Sequence, residues 1–407
     1  MKTEPRKTPA PISKDDKLVV AALGAAEIIS YGTLYYSVAV VANAVGQEFA
    51  VTDQWIFACF SSALFASALM SLIAGRLMDR YGAGITMKVA SLAATVSLGL
   101  AALSWNALVF AVALFGMQIS SAFLFYEAAF VFLVQRDAGN AKQQITLLTL
   151  IVGFSSTLFW PLTSLLLIWS SWRTVFGIYA GCNALIALPL VVCALRRCPA
   201  RSRNHNYTLA SRVHSQSSPT LIDLALITVG FSLTTFIFSA FLGRMIPILS
   251  SIGLDLEQTS VSALFGPSQV LIRIFAASLT ERMTAIQLTI LSSILLSAAT
   301  IVVELSSRSV LGATIFTVLL GFSSGLNSIC RGILPLSVFG RDGYGKRVGL
   351  INGFRLLTAS FAPFLFTSIQ SEYGIAVALA LLAACGVGSI LAFALVCVRP
   401  DDQRVLK

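Results

Sequence analysis

Long apolar runs separated by short polar breaks organise this chain from end to end. They lie near Leu18–Val45, Trp55–Ala74, Ile85–Trp105, Ala107–Val134, Ile145–Ile168, Thr174–Leu195, Leu221–Leu249, Val261–Ala277, Ala285–Val303, Val310–Phe339, Val348–Ile369 and Gly374–Val398. Each is near the ~20 residues that an α-helix needs to cross a bilayer. No alternating strand pattern competes, and the strands of a membrane barrel would be far shorter. The pattern predicts an all-α integral membrane protein of twelve transmembrane helices. The longest polar interruption, Arg196–Pro219, is basic and Ser-rich and divides six runs from six. It sets the expected organisation: a tail over 1–17, a six-helix half over 18–195, a linker over 196–220, a second half over 221–398 and a tail over 399–407.

Charge supplies the orientation. Of the 28 Lys and Arg residues, 22 fall in the tails and even-numbered loops, two (Arg173 and Arg308) in the opposite loops, and four (Arg244, Arg273, Arg331 and Arg355) within spans. Short loops rich in Lys and Arg stay cytoplasmic, so both termini and the linker are expected in the cytoplasm. The formal net charge of +10 is then a matter of topology, and nucleic acid is not expected as a partner. Composition agrees: 57% of the residues are apolar and 11% charged, with a mean hydropathy of +0.84, against roughly 25% charged in a soluble domain. The seven cysteines are scattered without a CxxC pair, and the two histidines, His205 and His214, share the linker, so neither a disulfide framework nor a metal site is expected. The Asn206 sequon in that linker is read as chance, since the loop is cytoplasmic.

The halves read as copies. Arg136-Asp137 recurs as Arg341-Asp342 at an offset of 205, and Asp79-Arg80 recurs weakly as Glu281-Arg282 at an offset of 202; Pro161 recurs as Pro363, also 202 on. Duplicated halves build one central site with two alternating gates in many transporters.

The stretch GRLMDRYGAGITMK, Gly75–Lys88, joins the second and third runs. Gly75 permits close helix approach, Asp79 can cap a helix N-terminus with Arg80 answering across the turn, and Gly82 and Gly84 permit a tight reversal. An ordinary short loop would share that composition. The spacing of Gly75, Leu77, Asp79, Arg80 and Gly82, however, resembles the signature loop of the major facilitator superfamily, although Ala83 and Gly84 stand where that family usually has Arg or Lys. The resemblance extends over nearly the whole chain. It implies the two-half, pseudo-symmetric fold and a latch function for Gly75, Asp79, Arg80 and Gly82. YGTLYY, YEAAF and FWPLT, beginning at Tyr31, Tyr126 and Phe159, are similar to the bacterial branch near monocarboxylate and oxalate/formate carriers. That implies the bacterial inner membrane.

Charges deep in a bilayer cost ~2.5–3.5 kcal/mol each on insertion scales and are functional candidates by default. Glu27, Glu127, Arg273, Arg331 and Arg355 all fall ~12–15 Å from the cytoplasmic ends of their spans at 1.5 Å per residue, which suggests one layer facing an aqueous cavity. Arg273 could instead snorkel to the cytoplasm, and Glu127 with Arg331 could form a structural pair. Aromatics gather at Tyr31, Tyr35, Tyr36, Tyr126 and Trp160. Packing explains most aromatics, but the resemblance places Tyr35, Tyr36 and Tyr126 on helices that line the central cavity. Pro161 and Pro267 are expected to kink their spans.

The expected function is therefore secondary active transport of one small organic solute, anionic because three arginines face two glutamates, with Arg331, Arg355, Glu27, Glu127, Tyr35, Tyr36, Tyr126 and Trp160 at the site and a proton as the possible coupled ion. The aromatics support a rival, a planar vitamin such as riboflavin. The absence of Gly-Pro-x-x-Gly-Gly from the fifth span weighs against drug efflux, and a transporter-like sensor is a further alternative. No GxxxxGK[ST] occurs and no paired-acid or His cluster, so neither an ATP-driven pump nor an enzyme is expected. No cofactor is expected, and the protein should act as a monomer in the lipid bilayer.

Overall fold

A helix inside hydrocarbon must satisfy its own backbone, and the described spans are all helical. The computed structural model describes residues 13–197, 220–251, 258–305 and 309–396. The first half comprises α1 (Lys14–Phe49), α2 (Asp53–Tyr81), α3 (Ala83–Ala102), α4 (Ala107–Arg136), α5 (Ala141–Trp169) and α6 (Trp172–Arg196). The second comprises α7 (Leu221–Ser251), α8 (Phe265–Arg282, preceded by a short helix Gln258–Ala263), α9 (Ala285–Leu305), α10 (Val310–Phe339), α11 (Tyr344–Tyr373) and α12 (Ile375–Ala394). Eleven are long and apolar enough to span a bilayer; around α8 the apolar stretch, Val261–Ala276, is shorter. The His205 and His214 linker, Asn206, Arg308 and the Arg244 side chain lie outside the described residues.

α6 ends and α7 begins on one face of the molecule, the linker face. On the far face, side-chain caps open the helices: Thr52 accepts from the Trp55 amide at 3.2 Å, Asn106 from Val109 at 2.9 Å, Ser171 from Thr174 at 3.3 Å and Ser309 from Gly312 at 3.2 Å. A staple ties that face of the first half together. Arg173 pairs with Glu48 at 2.7 Å, donates to the Ala102 and Ser104 carbonyls, and lies beside Trp172, whose indole N–H also donates to Glu48.

On the linker face Ser13, Thr220 and Thr284 cap their own helices in the same way, and other ends are capped from a neighbouring helix. Gln135, at the end of α4, donates to the Met78 carbonyl at 3.0 Å and accepts from the Ala83 amide at 2.9 Å, so one amide side chain closes the end of α2 and the start of α3. The expected 75–88 loop is shorter than its composition suggests. α2 continues through Asp79 and Arg80 to Tyr81, and the reversal is Gly82 alone, at φ 89°. Only glycine adopts that backbone without strain. Gly84 sits inside α3, against Leu195 and Phe132, and takes no part in the turn.

The halves meet through α2 on α11, α5 on α8 and α10, and α4 on α11. The tightest approach is at the linker face. A Cβ on Gly75 would collide with the Gly345 carbonyl and lie 3.1 Å from the Gly349 Cα. Such small-residue contacts let helix backbones touch where no hydrophobic force drives association.

Several helices are interrupted at mid-depth. α1 carries a π-helical turn over Gly32–Tyr36, and α6 another over Asn183–Ala187. α4 breaks between Ser121 and Tyr126, and α5 at Gly153–Phe154. The break before Phe265 fits Pro267, which has no N–H to give to Ala263. Pro161 and Pro363 remain within continuous helix, so the interruption of α5 lies before Pro161 rather than at it.

Candidate functional site

A cavity of about 300 Å³ lies between the halves at mid-depth. Its first-half wall is aromatic. Tyr31 stacks on Phe125 with ring centroids 3.7 Å apart and lies 5.2 Å from Tyr126; Tyr35 meets Tyr36 edge-on at 5.3 Å. Local backbone irregularity builds this wall. The π-helical turn of α1 holds Tyr35 and Tyr36, and such single-turn bulges recur at functional sites. The break in α4 makes Tyr126 and Glu127 the first turn of a new helical segment, where unsatisfied N–H groups favour a carboxylate. Neither interruption has a proline to announce it.

The second-half wall is cationic and amidic. Arg331 donates to Glu127 Oε1 at 2.8 Å, and Arg355 approaches the same oxygen at 3.4 Å. Arg355 also donates from Nε to Asn352 at 3.1 Å, and Asn352 reaches Ser71 of α2 at 3.2 Å. The Arg331 guanidinium lies 5.8 Å from the Tyr126 ring centroid. Glu127 is thus the shared counter-ion of two arginines on two helices.

Arg273 is different. It lines the same cavity, is only 5% exposed, and bonds Ser328 at 3.2 Å through Nη2, while Nε and Nη1 have no partner. It does not snorkel. The absence of a side chain on Gly153 makes room for it, since a Cβ there would strike the guanidinium. Sequence reasoning had no means of separating this arginine from the other two, because what distinguishes it is the lack of an acidic neighbour in three dimensions.

Glu27 does not line the cavity with the others. It is 1% exposed in α1, with both carboxylate oxygens unpartnered, within electrostatic reach of Glu127. Trp160 also stands apart. It is 53% exposed and meets Tyr36 edge-on at 5.9 Å, behind the wall rather than on it. The five-charge layer expected from depth is therefore a cluster of three arginines and one glutamate, with the second glutamate buried nearby.

Below the cavity, two of the residues expected to form a latch, Gly75 and Asp79, touch the other half. Asp79 accepts from the Gly345 amide at 3.0 Å and the Lys346 amide at 2.7 Å, so the carboxylate caps the N-terminus of α11. Arg80 does not answer Asp79; it lies over the Tyr81 ring at 5.3 Å. Arg341, in the turn after α10, donates to the Gln135 carbonyl of α4 nearby. The hydrogen bonds between the halves, from Asn352–Ser71 and Arg331–Glu127 to Asp79 and Arg341, run from mid-depth to the linker face.

The architecture has counterparts among solved structures. The human organic anion transporter MFSD10 (TETRAN) superposes with a TM-score of 0.72 at 14% identity, over 94% of this chain and 99% of that one. The proton:xylose symporter XylE, bound to 6-bromo-6-deoxy-D-glucose, gives 0.72 at 11% identity, over 95% and 97%. FucP, in the outward conformation, gives 0.71 at 13% identity, over 95% and 100%. At these identities the likeness is one of fold. No curated protein matches the chain in sequence. The model of one family, the Major Facilitator Superfamily, matches residues 23–363, and with twelve helices in two halves around a central cavity the chain belongs to that superfamily.

Proposed function

We propose that this protein is a secondary active transporter of a small organic anion, working by alternating access in the bacterial inner membrane with its termini in the cytoplasm. The observation that carries the reading is Arg273: a buried guanidinium with two unpartnered nitrogens, facing a cavity that both halves line. An unpaired buried cation is costly, and an incoming carboxylate removes that cost while making charge-assisted hydrogen bonds. Arg331 and Arg355 hold the surrounding field positive, because their two charges share one glutamate.

The cycle follows from the gates. With the 22-to-2 distribution of basic residues placing the linker face in the cytoplasm, the contacts of Asp79 and Gly75 with α11 close the cytoplasmic side. Rocking of the halves would break those contacts and open it. Glu27 is the group suited to a coupled proton. A carboxylate buried without hydrogen bonds is unfavourable when charged, and its neighbour Glu127 connects it to the arginines. The solute class agrees with the description of MFSD10 as an organic anion transporter. XylE, a proton:xylose symporter, is a precedent for proton coupling on this fold.

Counterflow in proteoliposomes tests the reading. Labelled organic acids should exchange against unlabelled ones, and Arg273→Gln should abolish exchange while the protein still inserts and elutes as one species in detergent. Exchange of uncharged solutes in place of acids, or full exchange by Arg273→Gln, would overturn it.

A further inference from the structure

The two walls of the cavity have different chemistry, and they meet at one point. The aromatic residues come mainly from α1 and α4 of the first half, whereas the three arginines, with Gln269 and Asn327, come from the second. Arg273 lines the same cavity as Tyr36 and Tyr126, and Arg331 stands over the Tyr126 ring. The free guanidinium donors therefore face the same space of about 300 Å³ as the rings.

Building on the organic-anion reading, we infer that the solute is an aromatic carboxylate, its ring against Tyr31, Tyr36 and Tyr126 and its carboxylate on Arg273. A small aliphatic acid would satisfy Arg273 but leave the aromatic wall facing water. A neutral ring would use the wall but leave two nitrogens of a buried guanidinium unpaired, which is the larger loss. Only a molecule with both features in close covalent proximity matches both walls at once. The volume of about 300 Å³ is at the small end for ligand sites, and suits one compact ring system rather than an extended amphiphile. Arginine can also stack on the solute ring from the side of Arg331, which a saturated ring does not reward.

The same arrangement gives the site a role in transport. Rings are held by the first half and the carboxylate by the second, so the solute bridges the two bodies that must move against each other. Its binding is then linked to their relative position, as alternating access requires.

The test is binding to the purified full-length protein in nanodiscs, by calorimetry, using benzoate, phenylacetate, cyclohexanecarboxylate, acetate, oxalate, benzamide and riboflavin. Benzoate or phenylacetate should bind roughly tenfold tighter than cyclohexanecarboxylate, the difference that aromatic contacts beyond simple burial supply. Tyr126→Leu and, separately, Tyr36→Leu should narrow that gap, while Arg273→Gln should remove binding of both acids. Equal binding of benzoate and cyclohexanecarboxylate, or a preference for acetate or oxalate, would overturn the aromatic inference and leave the anion reading standing. Binding of benzamide or riboflavin that survives Arg273→Gln would overturn both. Failure of both aryl acids to bind a protein that elutes as one folded species also overturns the inference.

Discussion

Arg331 and Glu127 are 204 positions apart in the chain and 2.8 Å apart in the fold, joining α10 of one half to α4 of the other. Both side chains are largely buried, and Arg355 leans on the same carboxylate oxygen at 3.4 Å. The sharing makes the three residues unequal. Glu127→Gln strands two guanidinium groups, whereas Arg331→Gln leaves Glu127 with Arg355. Removing one partner of a buried pair costs on the order of 3–5 kcal/mol. The expected order of thermal stability in detergent is wild type, then Arg331→Gln, then Glu127→Gln. The double variant should recover only part of what Glu127→Gln loses, because Arg331 is gone but Arg355 is still without its carboxylate. Equal losses in the two single variants would show that the pair is not shared.

Asp79 should act on turnover rather than on folding. Its carboxylate caps α11 through the Gly345 and Lys346 amides, and a charged cap at a helix N-terminus contributes ~0.3–1 kcal/mol, up to ~2 when partly buried. Asp79→Asn keeps an oxygen acceptor but loses the charge. Insertion and stability should persist, while the linker-face closure becomes less populated and transport slows several-fold. A transport rate equal to wild type would remove this contact from the mechanism.

Glu27 offers a separation between coupling and movement. Glutamine matches its shape and removes its charge and its titration. Glu27→Gln should keep exchange of solute for solute but lose accumulation against a gradient, and an imposed proton gradient should no longer drive uptake. Loss of exchange as well would mean that Glu27 serves solute binding or packing instead.

Gly153→Ala is a probe of Arg273 that leaves Arg273 in place. The new methyl group would occupy the space of Nη1, so the guanidinium must turn away from its position beside Ser328. Apparent affinity for the acid should fall on the order of tenfold, about 1.4 kcal/mol. Combining Gly153→Ala with Arg273→Gln should add nothing further, since both act on one contact. Additive losses would indicate that Gly153 matters for the break in α5 rather than for Arg273.

Sequence alone carried the membrane character, the apolar spans and the charge bias, because each is a local or compositional property. An apolar run of the right length must become a helix in a bilayer whatever it packs against. The signature around Asp79 was legible for the same reason: its glycines and its carboxylate have uses that depend on short spacing. What the carboxylate caps was not legible, since the amides of Gly345 and Lys346 lie more than 260 positions away.

The site was decided by tertiary structure. Depth along each span put the three arginines and Glu127 at one level, and all four line one cavity, but depth says nothing of which way a side chain faces. Rotation about the helix axis separates Glu27, buried without a partner, from Glu127, which holds two arginines. The π-helical turn at Gly32–Tyr36 and the break before Tyr126 change that rotation at mid-span, and no period read from sequence registers them. Whether an arginine is neutralised depends on a carboxylate from another helix arriving within about 4 Å. That condition is met at Arg331 and Arg355 and unmet at Arg273. The fold was thus written in local hydrophobicity, and the charge available to a solute was settled only when twelve helices fixed their rotations against one another.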